Sequence, residues 1–170
     1  WGGFIAITLN NLKVGALSYF FGIFLGIGTF YILLNNCIML GSFQYFFYQR
    51  GVFWESVRGI WIHGSMEIFA MIIEAGAGFI LGASILFPQT FSRLNSFKIG
   101  FQNSFKIFLS TMPFTFAAGF LEGYITRYSM EMPNYLSVAI ILITLSIISF
   151  YYLIYPFIVY KKAKKYVSTL

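Results

Sequence analysis

Charge is what this chain has least of. Only 9% of its 170 residues are Asp, Glu, Lys or Arg, where an ordinary soluble domain carries about 25%. There is no Asp, and the five acids are all Glu. Eleven basic and five acidic side chains cannot cover a soluble surface of this size, so a soluble globular domain is excluded. Cysteine is nearly absent too. Cys37 stands alone, which excludes an intrachain disulfide, and no Cys/His pattern has zinc spacing. Alternation of apolar and polar residues is also missing from the long apolar runs, and that excludes barrel strands. No initiator Met and no basic stretch precedes the first apolar residues, so no signal peptide is read here. The expectation is a segment that starts mid-protein.

What is present is apolar and continuous. Hydrophobic residues make up 59% of the chain and its mean hydropathy is +0.79. Residues 14–49 and 132–160 contain no Asp, Glu, Lys or Arg. A bilayer core about 30 Å thick needs about 20 residues of helix, and lipid offers the backbone no hydrogen bonds, which leaves helices as the spanning element. The chain therefore reads as one all-α membrane domain, residues 1–170. It is a polytopic transmembrane helical bundle of about four full spans plus a short or re-entrant segment at 37–48. The spans fall at 14–34, 59–87, 106–126 and 136–160. Residues 1–13 read as an interfacial segment, and Asn35-Asn36 as an interruption before the short piece. Residues 89–105, with Arg93 and Lys98 among spaced Phe, suit an amphipathic surface helix. Pro113 predicts a kink.

The net charge of +6 does not point to nucleic acid. Lys161, Lys162, Lys164 and Lys165 form a cluster directly after an apolar run, the pattern of a cytoplasmic anchor. With the C-terminus cytoplasmic, the loop bearing Arg93 and Lys98 also falls inside. The location expected is the bacterial inner (cytoplasmic) membrane, multi-pass.

The densest polar content within a span is His63, Glu67 and Glu74. At about 100° per residue, positions i, i+4 and i+11 lie within about 40° of one another. They make one polar stripe, with Glu122 and Arg127 as candidate partners from a neighbouring span. A carboxylate within a bilayer costs at least a few kcal/mol, so these groups face a partner helix or a water-filled cavity. Read one way they are a buried hydrogen-bond clamp; read another, a proton, cation or headgroup site. His63 and Glu67 offer two metal ligands. Two are not a site, no third is evident, and no metal or other cofactor is expected. Glycines recur at four-residue spacing: Gly22 and Gly26, Gly78 and Gly82, Gly119 and Gly123. Such spacing lets helix backbones approach closely, within the bundle first, or between copies in a homo-oligomer. Gly76 and Gly78 beside Glu74 would also admit a neighbouring backbone near its carboxyl.

From Phe53 onward the residues become specific. FWESVRGIWIHGSMEIFAMIIEAGAGFILGASILFP contains His63-Gly64, Glu67, a Gly/Ala run at Gly76 to Gly78, and Leu81-Gly82. This combination resembles the stage II sporulation protein M family of integral membrane proteins. The likeness extends back through NNLKVGALSYFFGIFLGIGTFYILLNN and forward through FLEGYITRY. Glu74 stands where the family has a small residue, so its role is peculiar to this chain. The resemblance implies a further span upstream of Trp1. It also implies a job beside cell-wall hydrolases, which such a protein localises or anchors without cutting peptidoglycan. The leading expectation is therefore a non-enzymatic scaffold of the cell envelope, with membrane lipids and envelope proteins as partners. The alternative is a permease or channel-like protein whose His63/Glu67/Glu74 stripe lines a path. An open cavity reaching Glu67 favours the second, and a dry closed clamp the first.

Overall fold

The computed structural model describes residues 2–167, all-α with no strand among them. Helix α1 spans Gly2–Phe20 and ends in a tighter turn, Phe21–Ile23; α2 spans Ile27–Gln49 and α3 Phe53–Leu86. Helix α4 spans Arg93–Phe120 and runs on through a widened π-type turn, Leu121–Ile125, and a tight one, Thr126–Tyr128. Helix α5 spans Asn134–Ser149; a second widened turn, Phe150–Ile154, joins it to α6, Tyr155–Val167. Five of the resulting segments are long and apolar enough to cross a membrane: Gly2–Ile23, Ile27–Gln49, Phe53–Leu86, Arg93–Tyr128 and Asn134–Lys165.

The first two of these correct the expected spans. Residues 14–34 are not one crossing, and 37–48 is not a short separate piece. The chain reverses at Phe21–Gly26, inside the uncharged run. Gly26 makes this possible: its φ of 84° is one that side chains disfavour, and its N–H returns to the Gly22 carbonyl at 2.9 Å. The Thr29 hydroxyl donates to the Ser18 carbonyl at 2.7 Å, tying the start of α2 to the end of α1. Residues 2–13 accordingly belong to α1 rather than to an interfacial segment. Asn35 and Asn36 do not interrupt α2 either. Their amides donate to the Tyr31 and Ile32 carbonyls one turn back, each at 2.8 Å, which satisfies them without leaving the helix. Likewise, the expected surface helix at 89–105 and the span after it are one helix. Ser92 caps its start by accepting from the Asn95 N–H at 3.4 Å, and Pro113 lies inside it without ending it.

Helix α3 is the axis of the bundle, packed by α1, α2, α4 and α5, most extensively by α4. The polarity is inverted relative to a water-soluble fold. Ser18, Thr29, Ser65, Ser104, Thr111, Thr115, Ser137 and Thr144 are buried, while Phe24, Ile27, Met39, Leu142 and Leu153 lie outside. Several of these buried hydroxyls find partners on neighbouring helices, while those of Ser18 and Ser137 have none among the described residues. Tyr19 and Ser104 meet at 3.0 Å, and Ser65 and Thr144 at 2.7 Å. Tyr19 also stacks on Phe108 at 4.8 Å, joining α1 to α4 beside Ala77 and Leu81 of α3. In lipid, interhelical hydrogen bonds and close packing hold helices together because burying apolar surface there gains little.

The glycines make the closest crossings. A Cβ on Gly22 would run into the Gly78 carbonyl, and one on Gly82 into the backbone of Gly22 and Gly26. The two spaced pairs are thus the two sides of one contact, between the α1–α2 turn and α3. A Cβ on Gly119 would meet Thr8, and one on Gly123 Phe4, so α4 lies against α1 in the same way. All six spaced glycines therefore pack within the chain.

Candidate functional site

Polar side chains gather at mid-height. Helix α3 is about 51 Å long at 1.5 Å per residue, and Glu67 and Glu74 lie either side of its midpoint. Asn10 and Asn11 are central in α1, Asn36 in α2 and Thr115 deep in α4. These residues wall a cavity of about 370 Å³, with Val14, Gly15, Met39, Leu40, Ile68 and Met71 supplying its apolar surface. A second cavity, of about 440 Å³, is lined by Ala6, Ile7, Asn10, Asn11, His63, Glu67 and Glu122. Asn10, Asn11 and Glu67 line both. The polar stripe of α3 thus faces open space shared with α1, at an axial depth of about 16 Å from His63 to Glu74.

His63, Glu67 and Glu122 form the tightest group, with one ligand-type atom of each within 4.8 Å of the others. The first two are one turn apart on α3, and Glu122 comes from the widened turn after α4. His63 Nε2 and Glu122 Oε2 are 4.0 Å apart. On the other side of the ring, Nδ1 lies 3.0 Å from the Thr126 hydroxyl. That hydroxyl donates to the Leu121 carbonyl at 3.2 Å. Its oxygen is then free to accept a proton from Nδ1, and in that tautomer Nε2 carries its lone pair on the side of Glu122. The amide of Asn11 faces both carboxylates without reaching hydrogen-bond geometry, and its buried Nδ2 has no partner among the described residues.

Glu74 is set apart from this trio and buried. Its Oε1 lies 2.8 Å from the Thr111 hydroxyl. The backbone beside its carboxyl belongs to Gly15 of α1, where a Cβ would collide with both carboxylate oxygens. Of the two neighbours that the sequence suggested for this role, Gly76 faces nothing within 4 Å and Gly78 meets Thr29 and the Ser18 carbonyl. Arg127 does not join the acids either. Its Nε donates to the Gly123 carbonyl at 3.0 Å, and the guanidinium lies over the Tyr124 ring. It therefore completes the end of its own helix.

Sequence reasoning did not find Asn11 or Thr126. No local pattern marks either, since each acts through a helix distant in the chain. Nor did it see Glu122 as a third ligand beside His63 and Glu67, because that depends on the widened turn.

Residues 1–127 match the family described as Stage II sporulation protein M. The chain belongs to that family. It is a membrane protein, and the matched region takes in α1 to α4 and the whole His63/Glu67/Glu122 group. No protein of curated function and no solved structure matches the chain.

Proposed function

We propose that this sporulation protein M relative is a non-enzymatic, permease-type protein that admits a cation or proton to an acidic cavity within the bundle. The observation that carries this reading is the cavity of about 370 Å³ walled by α1, α2, α3 and α4, which reaches both Glu67 and Glu74. A clamp would have closed on those carboxylates. Glu67 and Glu74 have no Lys or Arg partner among the described residues, so a cation entering the cavity meets uncompensated acceptors. Solute sites at the middle of helical bundles are the common arrangement in transporters. The test is flux in proteoliposomes holding the purified chain, read with proton- and cation-sensitive dyes. Glu67→Gln should lower the rate at least tenfold at unchanged protein content. Wild-type protein that adds nothing to the empty-vesicle leak would overturn the reading.

The scaffold reading has its own supporting observation. Helix α2 buries only Thr29 and presents Phe43, Tyr45, Phe46 and Tyr48 outward. A cell-envelope partner, such as a peptidoglycan hydrolase with its own membrane segment, fits that face. Reciprocal co-purification of such a hydrolase, lost on substituting those aromatics, would establish it in place of transport.

For both readings we infer a bacterial inner-membrane location with the C-terminus cytoplasmic. Lys161, Lys162, Lys164 and Lys165 then lie inside with Arg93, as the excess of basic residues in cytoplasmic loops requires. A C-terminal alkaline phosphatase fusion should be inactive; an active fusion would reverse the orientation.

A further inference from the structure

We infer that His63, Glu67 and Glu122 form a binding site for one divalent first-row metal ion, with Thr126 as the residue that orients the histidine. The inference deepens the cavity reading by naming the ion class, and it rests on that reading only for access.

Three features of the group lead to a metal. The first is the donor set. One imidazole nitrogen and two carboxylates are a mixed N/O set of the kind that binds Zn²⁺ and its neighbours. A metal with bonds of about 2.1 Å holds ligand atoms about 3.4 Å apart in a tetrahedron. The present spread of up to 4.8 Å closes to that by side-chain rotation alone, since Glu67 and Glu122 are long and line an open cavity.

The second feature is the arrangement behind the histidine. A metal-binding imidazole nearly always donates its other N–H to a fixed acceptor, which sets the tautomer. Here the Leu121 carbonyl accepts both the backbone N–H and the hydroxyl proton of Thr126. The Thr126 oxygen is thereby free to accept from Nδ1 at 3.0 Å. The unprotonated Nε2 is turned towards Glu122. A lone pair aimed at a carboxylate is repulsive unless something positive sits between them.

The third feature is the fourth direction. Asn11, on α1, faces both carboxylates, and its buried amide nitrogen meets neither at full hydrogen-bond geometry. An amide reversed about its last bond puts its oxygen where the nitrogen lies, and an oxygen there can be a ligand. The widened turn at Leu121–Ile125 has a purpose in this arrangement. It carries Glu122 and frees the Leu121 carbonyl for Thr126, and such turns recur at functional sites.

The test uses the full chain in mild detergent, stripped with a chelator and titrated with Zn²⁺, with Co²⁺ as a spectroscopic probe. Expected are one ion per chain by elemental analysis and visible Co²⁺ bands of a site with nitrogen and oxygen ligands. His63→Gln and Glu122→Gln should each weaken binding at least tenfold. Thr126→Val should weaken it about 10- to 100-fold, and Thr126→Ser should restore it. Glu74→Gln, outside the group, should bind as wild type does. Gel-filtration profiles and thermal melts of the stripped proteins separate lost binding from lost fold. If a variant fails to fold, the extended X-ray absorption fine structure of Zn²⁺ on the wild type decides, because outer-shell scattering from the ring reports an imidazole ligand. No stoichiometric ion, or binding indifferent to His63→Gln and Glu122→Gln in folded protein, would overturn the site. Binding without flux would leave the site standing and overturn transport. Flux of protons without metal binding would do the reverse.

Discussion

The region up to Arg127, with four membrane-length segments, and the region after it, with one, differ in chemistry. The first contains all 16 glycines of the chain and every acid that lies within a membrane-length segment: Glu55, Glu67, Glu74 and Glu122. The second, Asn134–Lys165, has neither a glycine nor an acid and is the most apolar of the five segments, at mean hydropathy 2.3 against 1.2 for Gly2–Ile23. Yet the more apolar region is the less buried. It is attached by the Ser65–Thr144 pair, by the Ser110 and Tyr152 hydroxyls at 2.8 Å, by Arg58 donating to Asn134, and by the Phe69–Tyr152 stack. The lesson is that hydropathy measures how well a helix suits lipid, whereas small and polar residues decide how closely it meets another helix. The family match ends where the second chemistry begins.

That contrast can be broken most forcefully at the glycine crossing. Gly78→Leu has no room, since Thr29 and the Ser18 carbonyl already occupy the space of its first side-chain carbon. We expect a loss of at least about 3 kcal/mol, seen as aggregation on gel filtration and loss of a cooperative melt in detergent. Val138→Leu on the exposed face of α5 should leave both unchanged. If the two behaved alike, the difference between the regions would be one of composition only.

A smaller effect is expected at Gly15→Ala. The added methyl meets the Glu74 carboxyl, the far end of a flexible side chain. The carboxyl has to swing away from α1, and its contact with Thr111 at 2.8 Å is lost. We expect destabilisation of about 1–3 kcal/mol, which Glu74→Ala in the same chain should largely relieve. Absence of that relief in the double-mutant cycle would show that Gly15 matters for backbone approach and not for Glu74.

The smallest effect tests the attachment of α5. A double-mutant cycle on Ser65→Ala and Thr144→Val should give a coupling of about 0.6 kcal/mol, the average for interhelical hydrogen bonds in a bilayer. Steric-trapping or reversible unfolding in detergent would measure it. A coupling several times larger would mean that α5 is held as firmly as the region before it.

Much of this was legible in the sequence. The absence of charge dictated helices in lipid. The His63–Glu67–Glu74 spacing put three polar groups on one face of a helix, where Glu67 and Glu74 line one cavity and His63 and Glu67 another. Three things were not legible, each for a physical reason. The reversal at Phe21–Gly26 is built from apolar residues and glycine, so a reading that looks for polar loops passes over it. Asn35 and Asn36 look like breakers, but each satisfies itself on its own helix and so costs α2 nothing. The third ligand-type residue depends on a turn of irregular pitch, which ideal helical geometry misplaces. Arg127 misled because a lone cation near acids invites pairing, whereas the Gly123 carbonyl was nearer.

The Phe21–Gly26 reversal also bears on how the protein is made. Residues 14–49 offer the insertion machinery no charged residue at all, so no basic residue marks the turn between α1 and α2. A glycine turn held by the Gly26–Gly22 bond and by Thr29 on Ser18 requires both helices to be present before it closes. The two are therefore expected to enter the membrane together, as one hairpin.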